Sequence, residues 1–111
     1  MKILCLCRAG VVRSVALAKI LKELFGHDAL SVSWQYNSKK TLDILFEWAE
    51  TIAIVEPGYH KYVPKRYSSK VVLVDIGEDD WHDATHPELI DKLYKALAKV
   101  REKFLNARNI N

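Results

Sequence analysis

Four short apolar runs, at 3–6, 30–34, 51–55 and 70–76, alternate with stretches whose apolar residues recur at helical spacing. That alternation constrains the fold more than any other feature. Strands separated by helices pair in parallel, and a parallel sheet needs helices on both faces. In the first helix Leu17, Ile20, Leu21 and Leu24 share a face, and Gly26-His27-Asp28 stops it. Thr41 is placed to cap a second helix carrying Leu42, Leu45, Phe46 and Ala49. Glu56-Pro57-Gly58 ends the third strand, and 59–67 reads as a short irregular helix limited by Pro64. Thr85-x-x-Glu88 has the form of a capping box for a last helix burying Leu89, Leu93, Leu97, Val100 and Phe104. The expectation is an α/β fold, a three-layer αβα sandwich with a four-stranded parallel sheet. With 111 residues, half of them hydrophobic, the chain matches one domain spanning 1–111.

The junction between the first strand and the first helix reads Cys7-Arg8-Ala9-Gly10-Val11-Val12-Arg13-Ser14. In open sheets of this kind ligands bind beyond the carboxyl ends of the strands. Backbone N–H groups of a loop entering a helix point inward, and the helix N-terminus adds partial positive charge, so a phosphate dianion fits there. The same field favours the ionised form of a sulfur in the loop, which makes Cys7 a candidate nucleophile. Arg13 presents a planar fork able to grip two phosphate oxygens. The bland reading makes Cys7 a small buried hydrophobe and Arg13 a surface residue of a helix N-terminus. The cysteine, arginine and glycine occurring together at a strand–loop–helix junction favour anion chemistry. Ser14 suits either a hydrogen bond to the sulfur or a helix N-cap.

The loop and its position resemble the low-molecular-weight protein tyrosine phosphatases, especially the short bacterial and phage forms. The resemblance covers most of the chain and includes Asp79-Asp80-Trp81, which is similar to the family's general-acid loop, with Pro87-Glu88-Leu89 opening the last helix. Ala9 and Gly10 stand where the family has Gly and Asn, and Gly10 adopts a left-handed conformation as readily as Asn. Val12 replaces the second loop cysteine, the usual partner for a protective disulfide with Cys7. The resemblance implies a cysteine-dependent phosphatase for aryl phosphomonoesters such as phosphotyrosine, acting without cofactor through a phosphocysteine intermediate. Cys7 is then the nucleophile, Arg13 with the loop amides holds the equatorial oxygens, and a carboxylic acid protonates the leaving oxygen. Alignment to the family's loop selects Asp79 for that role, with Asp80 the alternative. Trp34, Tyr36 and Trp81 are implied as cleft walls for a flat ring, with core packing the alternative for Trp34 and Trp81. Arg8, inside the loop, either points outward toward a second acidic group on the substrate or is simply solvent-exposed.

Other features narrow the classes. Seventeen Lys and Arg against fourteen Asp and Glu is only mildly basic. That suits an acidic substrate without demanding nucleic acid. Lys61, Lys65, Arg66 and Lys70 interleave with Tyr59, Tyr62 and Tyr67, a pattern also seen on nucleic-acid surfaces; a solvated connector is the simpler reading, and no nucleic-acid partner is expected. No apolar run approaches the roughly 20 residues that cross a bilayer, and no signal peptide precedes the first strand, so no membrane partner is expected. Two cysteines suggest a reduced, cytoplasmic setting. Cys5 and Cys7 face one side of a strand at about 6.5–7 Å, the outer limit for a disulfide, which leaves Cys5 as core. His82 and His86 are four apart beside Asp83, but Thr85 and Pro87 start the helix later, so no metal is expected. The alternatives are a phosphocysteine phosphocarrier, which lacks an arginine at the position of Arg13, and a catalytically idle phosphate-binding module. An arsenate reductase usually needs further cysteines, and only Cys5 remains. The sequence is silent on physiological substrate and oligomeric state.

Overall fold

A computed structural model of the protein describes residues 1–77, Trp81 and 83–109, with side chains to Phe104. The apolar runs form β1 (Lys2–Cys7), β2 (Asp28–Ser33), β3 (Thr51–Ile54) and β4 (Val71–Leu73). The helices are α1 (Arg13–Phe25), α2 (Lys39–Trp48) and α3 (Pro87–Asn109). All strand pairings are parallel, in the order β2-β1-β3-β4. The chain leaves β1 toward β2 on one side and returns past it to β3 on the other. Right-handed crossovers therefore put α1 and α2 on opposite faces, and α3 packs with α1 and β4. The result is the αβα sandwich expected from the alternation.

β1 is central, and five consecutive residues, Ile3 to Cys7, are buried. Such an unbroken run follows from helices covering both faces of the strand. Leu17 and Leu21 of α1, Leu89 and Leu93 of α3, Leu42 and Phe46 of α2, and Ile52 and Ile54 of β3 all belong to the buried core.

Several local expectations shift. Leu24 is 57% exposed, so the buried face of α1 is Leu17, Ile20 and Leu21. Ser38 rather than Thr41 caps α2, its side chain accepting from the Thr41 backbone N–H. The Thr85–Glu88 capping box does not form: Asp83 accepts from both Thr85 N–H and Oγ1, while His86 Nδ1 accepts from Glu88 N–H. Val100 is half-buried and departs from helical geometry (φ −120, ψ 15), kinking α3. The irregular helix after β3 resolves into two 3-10 segments, Pro57–Tyr62 and Lys65–Lys70, separated where Pro64 stands.

The order 2-1-3-4 reverses direction at β1. That makes the crevice beyond the carboxyl ends of β1 and β3 the topological switch point, where the diverging connections leave room for a ligand. Cys7 ends β1 at that crevice.

Candidate active site

Cys7 and Ser33 are register partners at the ends of β1 and β2, and the loop from Cys7 to Arg13 curls over that pair. The Gly10 backbone N–H donates to Cys7 Sγ at 3.2 Å, and Ser14 Oγ lies in hydrogen-bond contact with the same sulfur at 3.0 Å. Ser14 is thus occupied by the sulfur; the N-cap position belongs to Val12, without a side-chain cap bond. Gly10 has a φ of +73°, which only glycine adopts freely. A Cβ there would stand 2.8 Å from the Ser33 backbone nitrogen. The glycine is therefore required twice, by conformation and by close approach.

Ser33 is the loop's second anchor. Its hydroxyl donates to the Arg8 carbonyl at 2.5 Å and accepts from the N–H groups of Gln35 (3.0 Å) and Tyr36 (2.9 Å). Trp34 N–H donates to the Cys7 carbonyl at 3.1 Å, and Gln35 N–H to Arg8 at 3.3 Å. These bonds spend loop carbonyls on the β2 end, leaving N–H groups such as that of Gly10 turned toward the sulfur.

Arg13 is completely buried, though it opens a helix. Its Nη1 donates to the Gly77 carbonyl at 2.7 Å and lies 3.4 Å from Glu56 Oε1. Its Nη2 donates to the Tyr59 hydroxyl at 2.5 Å. The guanidinium so joins the helix after β1, the segment after β3 and the chain after β4. A buried cation needs such partners, because desolvating an unpaired charge is strongly unfavourable. Burial first, and then the hydrogen bond with Glu56, holds the Tyr59 phenol above its ordinary range despite the opposing pull of Arg13. Burial, aided by the neighbouring Cys7 sulfur, pushes the Cys5 thiol far up, so it stays a protonated core group.

Arg8 is exposed and its Nε donates to Gln35 Oε1 at 3.1 Å. Val11 is 64% exposed, while Ala9 and Val12 are half-buried. Of the aromatic residues expected at the cleft, Tyr36 is 74% exposed. Trp34 is half-buried and stacks face to face on Tyr62, centroids 3.9 Å apart, with Tyr59 edge-on at 5.7 Å. Trp81 sits edge-on to His86 with Lys92 Nζ over its ring. Asp79, Asp80 and His82 lie outside the described residues; Gly77, two residues before Asp79, is bonded to Arg13.

Glu56, Tyr59, Ser33 and Gly77 join the site without having been singled out from the sequence. Glu56-Pro57-Gly58 read as a strand terminator and Tyr59 as part of a basic-aromatic cluster. The available signal was topological: residues just past β2, β3 and β4 share the rim with Cys7.

No family model matches the sequence, and no curated protein matches it. Among solved structures the chain is similar to the YwlE arginine phosphatase from Geobacillus stearothermophilus, with 16% identity, a TM-score of 0.72, and coverage of 99% of this chain and 96% of that one. A mutant YwlE arginine phosphatase with a phosphorylated active-site serine matches with 15% identity, a TM-score of 0.73 and complete coverage of both chains. The Erwinia amylovora tyrosine phosphatase AmsI matches with 15% identity and a TM-score of 0.66, over 96% of this chain and 91% of that one. The resemblance read from residues 7–14 thus extends to the fold as a whole.

Proposed function

We propose that the protein is a cysteine-dependent phosphatase that hydrolyses aryl phosphomonoesters such as phosphotyrosine through a phosphocysteine intermediate. One observation carries this reading. Cys7 Sγ, at the switch point of the sheet, receives the Gly10 N–H and Ser14 Oγ while the Arg13 guanidinium is held at the same rim. Phosphate bound in the loop places phosphorus against the sulfur. The Cys7 thiolate forms the S–P bond as the P–O bond to the leaving group breaks, and Arg13 with the loop N–H groups takes up charge on the equatorial oxygens. Asp79 protonates the departing oxygen, then accepts a proton from the water that cleaves the S–P bond. Glu56 and Tyr59 act through Arg13, fixing the plane of its fork.

The aryl substrate is supported by Tyr36, exposed just past the loop's anchor at Ser33, which offers a ring face to a phenyl group. The exposed Arg8 guanidinium adds positive charge to the rim, which favours the dianionic phosphotyrosine over phosphoarginine, whose own guanidinium offsets part of its phosphoryl charge. Purified protein should hydrolyse para-nitrophenyl phosphate and a phosphotyrosine peptide without added metal, and a phosphoarginine peptide more slowly. Cys7→Ser should abolish turnover yet retain vanadate binding. Unchanged turnover in Cys7→Ser would overturn the reading. Binding of phosphopeptide by the wild type without turnover would favour the idle module, and phosphate passed to an acceptor protein the phosphocarrier.

A further inference from the structure

The basic-aromatic cluster of the middle segment separates in the fold into residues that the structure uses and residues it leaves over. Lys70 is used: its Nζ donates to the Phe46 and Glu47 carbonyls, closing the end of α2, and sits over the Tyr67 ring. Tyr67 is buried against Phe46. Tyr59 holds Arg13. Left at the surface are Lys61, Lys65 and Arg66, although Lys61 Nζ lies over the Tyr62 ring and the Arg66 guanidinium over the Tyr67 ring. Lys61 and Arg66, with Lys39, Asp43 and Tyr62, line a groove of about 410 Å³ between α2 and the 3-10 segments. Three cations face one carboxylate there, and that carboxylate, Asp43, is already paired with Arg66 at 3.3 Å.

One stacked pair connects the groove to the Cys7–Ser14 loop. Tyr62 lines the groove and stacks on Trp34, whose backbone N–H is bonded to the Cys7 carbonyl. Resting on the phosphatase reading, we propose that this groove receives acidic residues flanking the phosphorylated residue of a protein substrate. The occupant is an acidic peptide segment. An extended chain advances about 3.3–3.6 Å per residue, so residues a few positions from the phosphorylated one cross the Trp34–Tyr62 stack and meet Lys39 and Lys61. The half-buried Tyr62, held between Trp34 and Lys61, offers its edge to the peptide's carbon atoms, while the cations select its charge.

The test compares phosphotyrosine peptides carrying three glutamates, or three lysines, three to six positions before or after the phosphorylated residue. Hydrolysis is measured with the wild type and binding with Cys7→Ser. Exposed ion pairs contribute about two- to fivefold each. One glutamate register should therefore bind and react about tenfold better than its lysine counterpart, and the advantage should shrink between 0.05 and about 0.3 M salt. The double variant Lys39→Glu/Lys61→Glu should lose or reverse that preference while para-nitrophenyl phosphate kinetics stay unchanged. Equal affinity for all peptides, or a preference that survives in the double variant, would overturn the proposal. So would tighter binding of a single-stranded oligonucleotide of equal charge than of the glutamate peptide. A binding preference without hydrolysis by the wild type would support the groove and refute the phosphatase reading.

Discussion

Arg13 Nη1 and the Gly77 carbonyl, 64 residues apart in sequence, meet at 2.7 Å. The bond ties the opening of α1 to the chain two residues before Asp79, so the proposed phosphate clamp and the proposed acid loop share one fixed point. A second tie, from Nη2 to Tyr59, fixes the guanidinium plane from the β3 side.

Replacing Arg13 with Lys keeps a charge but removes the fork and at least one of these ties. kcat for para-nitrophenyl phosphate should fall by a factor on the order of 10² or more, and vanadate inhibition should weaken. Near-normal kinetics in this variant would exclude Arg13 as the clamp.

Tyr59→Phe deletes only the hydroxyl. Losing a buried hydrogen bond to a charged group should lower stability by about 1.5–3 kcal/mol in denaturant titration. kcat should drop up to about tenfold through misaligned phosphate contacts. In an Arg13→Lys background the same change should have little further effect on kcat, because the two act as one unit. Additive losses would mean that Tyr59 acts independently of Arg13. The raised phenol also has a signature of its own. Stability from keeping it neutral is present below the ordinary phenol pKa of about 10 and is lost as pH rises through the raised folded value. Tyr59→Phe should remove that part of the alkaline loss.

Gly10→Ala introduces a Cβ at positive φ and 2.8 Å from backbone. It should destabilise by about 1–3 kcal/mol and lower kcat, since relief requires moving the loop off β2. Gly58→Ala, where a Cβ meets nothing within 4 Å, is the control and should leave thermal unfolding and kcat near wild type. An equally mild Gly10→Ala would show that the loop tolerates displacement.

Asp79→Asn should reduce phosphotyrosine hydrolysis roughly 10²- to 10⁴-fold and para-nitrophenyl phosphate hydrolysis less, because a good leaving group needs little protonation. The acidic-to-neutral pH dependence should flatten. Asp80→Asn should act mildly, by altering the charge beside the acid. The reverse pattern would assign the acid to Asp80.

By itself the sequence determined the layered parallel fold and the place of the Cys7–Ser14 loop at a strand–helix junction. Both are local signals: the 3–6 and 51–55 runs have strand length and apolar continuity, and Cys7 to Ser14 lie within eight residues of one another. Sequence also determined Gly10, whose left-handed conformation is a property of one residue. What only the tertiary structure decided is who holds that loop. Ser33 reaches Arg8 because parallel pairing sets it beside Cys7. Glu56, Tyr59 and Gly77 reach Arg13 because strand order puts β1 next to β3, and β3 next to β4. None of these partners is marked by spacing, since strand order and register arise from how helices cover the sheet. The same packing carried Trp34 onto Tyr62. A stacked ring pair buries apolar surface that a lone exposed ring leaves in water.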